Sequence, residues 1–223
     1  HMRRPLPIPR AVLFDLDGTL ADTAPDLADA VNRMRHARGL APTPYELLRP
    51  MASAGARGLI GVAFGIQPGD GEFEAMRTEF LANYEARIAD QTVLFEGVLP
   101  LLEKIVSNQQ RWGVVTNKPL RYTDALLPLI GLSDAACSIS GDTTPHAKPH
   151  PEPLFEAARR LQLKPEQCWY VGDDLRDIQA GKAAGMPTIA AGWGYCGMSE
   201  PTHWEADFIA GSPLEIIELL STP

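Results

Sequence analysis

The sequence predicts an α/β fold: a parallel sheet covered on both faces by helices, with an all-helical stretch inserted after the first strand. Three observations lead there. Short apolar runs alternate with helical patterns along most of the chain, the order from which parallel sheets are built. Several of those runs end in polar residues, Asp15, Thr116 and Asp173, and in such sheets ligands sit outside the carboxyl ends of the strands. Residues 23–91 carry helical periodicity and no convincing strand.

The elements follow in order. Ala11-Val12-Leu13-Phe14 is a short apolar run stopped by Asp15 and reads as a buried strand, and the Asp-Gly-Thr after it reads as a tight turn. From 24 to 38, Leu27, Ala30, Val31 and Met34 recur at helical spacing until Gly39. Further helical patterns cover 46–64 and 72–89. Past Gly97 the pattern alternates. Residues 99–109 predict a helix with Pro100 in its first turn, where proline is tolerated. Strands are expected at 112–115, 137–139, 169–171 and 188–190, and helices at 121–130, 152–161, 178–184 and 214–220. The segments 21–25 and 95–97 join the helical insert to the rest and are candidate hinges.

Bulk properties narrow the function. The chain has 223 residues, 45% hydrophobic and 22% charged, which suits one core domain carrying a smaller insert. A net charge of -8 argues against nucleic acid or an anionic membrane as partner, since both need a basic face. An anionic substrate would need a local cation. Cys137, Cys168 and Cys196 are odd in number and far apart, with no C-x-x-C pair, so neither a disulfide framework nor a structural zinc site is expected. No apolar stretch is long enough to span a membrane, and the chain reads as cytoplasmic. His1-Met2 reads as an expression remnant.

Four motifs carry chemistry. Asp15-Leu16-Asp17-Gly18-Thr19 sets two carboxylates two residues apart at a strand end, where they repel and lose hydration unless a cation sits beside them. Asp15 then suits a nucleophile and Asp17 a general acid/base. The alternative is a plain strand–turn. Thr116-Asn117 offers a hydroxyl and an amide to a phosphoryl oxygen, or else caps a helix. Lys148, in the proline-rich loop Lys148-Pro149-His150-Pro151, could neutralise a phosphate and Asp15, or simply be solvated. Gly172-Asp173-Asp174-Leu175-Arg176-Asp177 gathers three carboxylates that suit a hard cation such as Mg²⁺, or acids at the positive end of a helix.

Taken together and in this order, Asp15-x-Asp17-Gly18-Thr19, Thr116, Lys148-Pro149 and Gly172-Asp173-Asp174-x-x-Asp177 resemble the haloacid dehalogenase superfamily of phosphohydrolases, over essentially the whole chain. The resemblance implies a Rossmann-like core of residues 1–22 and 96–223 and an inserted α-helical cap domain of residues 23–95. It implies that Asp15 becomes phosphorylated, and that Asp17 protonates the leaving oxygen and then activates water. It places Mg²⁺ on Asp15, the backbone carbonyl of Asp17 and Asp173, with Asp174 or Asp177 in support. Thr116, Asn117 and Lys148 would bind the phosphate. The motif order and cap type are closest to the phosphoglycolate phosphatase-like branch, although that branch often has Ser or Thr where this chain has Asp174.

Substrate choice is expected from the cap. Arg57, in the small-residue stretch Ser53-Ala54-Gly55-Ala56-Arg57-Gly58, is a candidate contact for a substrate carboxylate, or a solvated arginine at a helix start. The stretch is similar to the Gly-Ala-Arg of phosphatases acting on N-acetylmuramic acid 6-phosphate. The expected activity is thus hydrolysis of a small phosphorylated metabolite of carbohydrate metabolism, 2-phosphoglycolate first, with N-acetylmuramic acid 6-phosphate or another sugar phosphate as the alternative, by a monomer or homodimer. Three other readings fit the sequence less well. A phosphomutase shares the core motifs, but Thr19 after Asp17-Gly18 favours a phosphatase. A haloacid dehalogenase needs neither Asp17 nor the acids near Asp173. A non-catalytic binding module would leave an intact motif set without use.

Overall fold

The computed structural model describes residues 6–221, so the expected remnant at His1-Met2 lies outside the described residues. Its centre is the strand β1 (Ala11–Phe14), whose four residues are fully buried. β1 pairs in parallel with β4 (Arg111–Val115) on one side and β6 (Cys168–Gly172) on the other. β5 (Ser138–Ile139), β7 (Thr188–Ala191) and β8 (Phe208–Ala210) extend the sheet in the order β5-β4-β1-β6-β7-β8, with every pairing parallel. The period of two along a strand divides the core. Val12 and Phe14 pack in one cluster with Leu101, Ile105 and Ile216, which come from α5 (Val98–Ser107) and α9 (Pro213–Ser221). Ala11 and Leu13 pack in another with Leu154, Ala157 and Ala180, from α7 (Glu152–Leu161) and α8 (Leu175–Ala184). α6 (Leu120–Leu129) completes the helices that follow the strands.

Register sets the site. Phe14 lies beside Val114 and Val171, so the three central strands end nearly level. Asp15, Thr116 and Asp173 therefore emerge at one edge. The Asp15 N–H still donates to the Val171 carbonyl at 2.9 Å, and the Thr116 N–H to the Ile139 carbonyl at 2.9 Å.

After β1 the chain leaves the sheet through β2 (Ala21–Asp22) and forms α1 (Ala24–Ala37), α2 (Tyr45–Leu48), α3 (Gly55–Phe64) and α4 (Phe73–Ala86). It returns through β3 (Val93–Leu94), which pairs antiparallel with β2. Fully buried Val31, Met34, Leu59 and Ile60, with Phe80 and Tyr84 at 1% exposed, hold these helices together. The expected single helix over 46–64 is instead broken into α2, a 3₁₀ turn Arg49–Ala54 and α3. Pro50 lacks the N–H a continuing helix needs, and Gly55 takes a positive φ of 61° that reverses the backbone. α8 starts three residues earlier than its apolar period suggests, because Asp174 caps it: the Asp174 carboxylate accepts the Arg176 N–H at 2.9 Å. The strands β2, β3 and β8 were not expected. Each has only two or three residues, too few for an alternating pattern to register. Among the described residues, no helix is long and apolar enough to cross a membrane.

The core makes a stability prediction within one helix. Ile105 is fully buried against the sheet, whereas its neighbour Val106 is 59% exposed. Ile105→Ala is expected to cost about 2–5 kcal/mol in urea unfolding, and Val106→Ala under about 0.5. Equal losses would mean that α5 does not pack as described.

Candidate active site

The level strand ends create a small buried volume crowded with charge. Asp15, Asp17, Asp173 and Asp177 all lie there with little or no exposure. Lys148 stands among them, brought by the loop before α7. Its ammonium donates to Asp177 Oδ1 at 2.7 Å, the Tyr170 hydroxyl at 2.6 Å and the Val115 carbonyl at 2.9 Å, and lies 3.2 Å from Asp15 Oδ1. Asp15 Oδ1 also accepts the Leu16 N–H at 2.7 Å, which fixes the plane of that carboxylate. Two glycines permit the crowding. A Cβ at Gly172 would fall 2.3 Å from Asp177 Cγ, and one at Gly18, whose φ is +84°, would fall 2.2 Å from Asp173 Oδ2. No other residue fits either place.

The electrostatics follow from burial. Burial raises the Asp15 carboxyl well above the usual carboxylate range, and Asp177 raises it further, against the pull of Lys148. Asp173 is pushed up to about 7, first by burial and then by Asp177, while the Ser53 hydroxyl and the Tyr195 N–H draw it down. Burial by itself would lower Lys148, but Asp15 and Asp177 outweigh it and hold the ammonium charged. Oxygens of Asp15, Asp173 and Asp177 lie within 4.8 Å of one another. A set of hard oxygen donors with uncompensated negative charge fits a divalent cation such as Mg²⁺ or Ca²⁺ far better than a soft metal.

Asp17 faces the other side of the same space. Its Oδ1 accepts the Thr23 hydroxyl at 2.6 Å and the Lys118 ammonium at 2.9 Å. Its main-chain carbonyl is 3.4 Å from the Ser53 hydroxyl, which also donates to Asp173 Oδ2 at 2.9 Å. Thr116 lies at the edge with its hydroxyl oxygen accepting the Lys118 N–H at 3.0 Å, so the hydroxyl proton stays available to a ligand. It caps no helix; α6 starts after Pro119. Above these residues lies a cavity of about 300 Å³. Its upper wall is apolar, with Leu27, Phe73, Phe80, Leu81 and Tyr122, and is edged by Arg57 and Arg77. Neither arginine has an ion pair or hydrogen bond among the described residues.

Two expected roles change. Asn117 lines the cavity, but its amide is spent on the Lys148 backbone: Nδ2 donates to the Lys148 carbonyl at 2.9 Å, and Oδ1 accepts the Lys148 N–H at 3.0 Å. Its side chain thereby holds the lysine loop in place. Asp174 stands apart from the three clustered carboxylates, because it caps α8 and pairs with Arg176 at 2.9 Å, which leaves Asp177 as the other acid of its motif at the cluster. Arg57 lines the cavity from the exposed rim. Sequence reasoning passed over Lys118, Tyr170, Arg77 and Tyr195, and it named Ser53 within the small-residue stretch without giving it a partner. Lys118 directly follows Thr116-Asn117 at a strand end, a position that could have marked it. Tyr195, whose N–H donates to Asp173 Oδ2 at 3.0 Å and whose hydroxyl donates to Asp22 at 2.8 Å, carries no such mark.

The sequence model of the haloacid dehalogenase-like hydrolases matches residues 9–185. A phosphoglycolate phosphatase of Xanthomonas campestris pv. campestris is 45% identical over 217 residues, covering 96% of this chain and 98% of that one. An N-acetylmuramic acid 6-phosphate phosphatase of Pseudomonas putida is 42% identical over 215 residues, covering 96% of each. A crystal structure from Haemophilus somnus, described as a "predicted phosphoglycolate phosphatase", superposes with a TM-score of 0.85 at 26% identity, over 96% of this chain and 98% of that one. With a family match over most of its length, this six-stranded parallel sheet and its strand-end carboxylates belong to an enzyme of the haloacid dehalogenase-like hydrolase family.

Proposed function

We propose that the enzyme is a Mg²⁺-dependent phosphatase that transfers the phosphoryl group of a small phosphate monoester to Asp15 and then to water. The observation that carries this reading is the buried trio of Asp15, Lys148 and Asp177, with Asp17 facing the same cavity. An Asp15 carboxylate oxygen attacks phosphorus as the ester P–O bond breaks, and Asp17 gives its proton to the departing oxygen. Water then attacks the phosphorus of the aspartyl phosphate, Asp17 takes up the water's proton, and inorganic phosphate leaves with Asp15 restored. The Thr116 hydroxyl donates to a phosphoryl oxygen and the Lys148 ammonium sets its positive charge beside Asp15, which keeps the charge of the dianion from opposing the attack. Asp15, Asp173 and the Asp17 carbonyl would hold Mg²⁺, with Asp177 supporting. The ion supplies positive charge against the phosphoryl oxygens.

Residues 1–22 and 96–223 serve as the core domain and 23–95 as a cap that selects the organic part of the substrate. The first substrate is 2-phosphoglycolate, the compound named for the Xanthomonas relative. A second reading, N-acetylmuramic acid 6-phosphate, is favoured by the cavity itself. A two-carbon acid fills little of about 300 Å³ and leaves the apolar wall untouched, whereas an acylated sugar acid would meet both wall and arginines. In either case the enzyme works in the cytoplasm on a small phosphorylated metabolite, as a monomer or homodimer.

Phosphate release should be followed over a panel of esters with Mg²⁺ and with EDTA. Asp15→Asn is expected to lower turnover about a thousandfold or more. Release that survives in Asp15→Asn would end the covalent mechanism, and the fastest ester names the substrate. Arg57→Ala should raise KM about tenfold on the carboxylated ester with kcat nearly kept, as for lost uniform binding. An unchanged KM would remove Arg57 from recognition. Metal-free protein should gain about 5 °C in Tm on addition of saturating Mg²⁺. Asp173→Asn should lose that gain, and a gain retained in Asp173→Asn would place the ion elsewhere.

A further inference from the structure

Lys118 is the second buried ammonium beside the strand ends, and the reaction as described does not use it. Its side chain is 6% exposed. Its backbone belongs to the sheet edge, since its N–H donates to Thr116 Oγ1 at 3.0 Å and its carbonyl accepts the Gly141 N–H at 2.9 Å. Its ammonium bridges two parts of the molecule. On one side it donates to Asp17 Oδ1 at 2.9 Å. On the other it donates to the Tyr84 hydroxyl at 2.8 Å and lies 4.4 Å from the centre of that ring. Tyr84 belongs to α4 in the helical insert. It is 1% exposed and packed between Phe80 and Tyr122.

A buried ammonium is tolerable only while its donors are satisfied. With α4 in place, Lys118 has a carboxylate, a hydroxyl and an aromatic face, and it draws Asp17 Oδ1 to the same side as the Thr23 hydroxyl does. With α4 lifted, it would lose two of those three partners, and water would replace them. We propose that Lys118 is a positioning residue that makes the setting of Asp17 depend on α4 being seated over the strand ends. The hold is a clamp, Asp17–Lys118–Tyr84, joining the proton-transfer group to the insert by two charge-assisted hydrogen bonds. The inference rests on the reading of Asp17 as the acid that protonates the leaving group.

The test uses two kinds of ester. An alkyl phosphate needs a proton on its departing oxygen, whereas p-nitrophenyl phosphate releases a stable phenolate without one. The alkyl ester is 2-phosphoglycolate, or N-acetylmuramic acid 6-phosphate if that is the faster. Tyr84→Phe keeps the ring and removes only the hydroxyl, so it should fold, with Tm measured as a control. Tyr84→Phe and Lys118→Met should each lower kcat/KM on the alkyl ester about tenfold, the rate equivalent of one hydrogen bond to a charged group. On p-nitrophenyl phosphate both should stay within about twofold of wild type, because general acid assistance is not required there. The double variant should be no worse than Lys118→Met, and Lys118→Arg should recover part of the loss. Equal losses on both esters, or losses that multiply in the double variant, would overturn the clamp while leaving the phosphatase reading intact. A wild type inert on every ester would overturn both.

Discussion

The ammonium of Lys148 between Asp15 and Asp177 is the interaction on which the rest of the site depends. It is buried, and so are both acids. Without it, carboxylates at the end of a central strand would face one another across a medium that screens poorly. The protein surrounds the lysine with more acceptors than it has protons: Asp177, Asp15, the Val115 carbonyl and the Tyr170 hydroxyl. Its backbone is in turn held from both sides by Asn117. The result is a charge that cannot wander, next to the atom that would attack phosphorus. Enzymes that move phosphoryl groups rely chiefly on such fixed charge. The compensation remains incomplete, as the raised Asp15 and Asp173 carboxyls record, and a metal ion is the natural remedy.

The sheet prepares that arrangement through register, and the loop before α7 and the first turn of α8 complete it with Lys148 and Asp177. Because β1, β4 and β6 run parallel and end level, Asp15, Thr116 and Asp173 meet at one edge although they are far apart in sequence. Glycines at 18 and 172 then let acids approach backbone at distances that a side chain would forbid. The helical insert contributes the other half of the cavity. Its polar contacts with the edge include Ser53 on Asp173 and on the Asp17 carbonyl, Thr23 on Asp17, and Tyr84 on Lys118. Most of its remaining wall is apolar.

Much of this was legible in the sequence, and the reasons are physical. Strands that are buried on both faces read as short apolar runs, and the polar residue that ends each run marks the edge where ligands sit. The α/β architecture and the strand-end positions of Asp15, Thr116 and Asp173 therefore follow from local pattern. The pattern fails where geometry beyond nearest neighbours decides. Pro50 and Gly55 break what periodicity alone joins into one helix. Asn117 and Asp174 have suitable chemistry for a phosphate or a metal, yet their side chains point to a backbone and to a helix end. Tyr195 reaches Asp173 across 22 positions of sequence and leaves no trace in any local motif. Side-chain direction and long-range contact are set by packing, which composition and spacing do not encode.

The two-residue ribbon of β2 and β3 has a consequence for the history of such enzymes. It brings the departure and the return of the inserted chain side by side, with Ala21 opposite Leu94 and Asp22 opposite Val93. Once two points of a chain are fastened together, the length and content of what lies between them matter little to the sheet below, since loop-closure entropy grows only slowly with length. The ribbon thus works like a socket. Helices can be lengthened, shuffled or replaced above it while the carboxylates and lysine beneath keep their places.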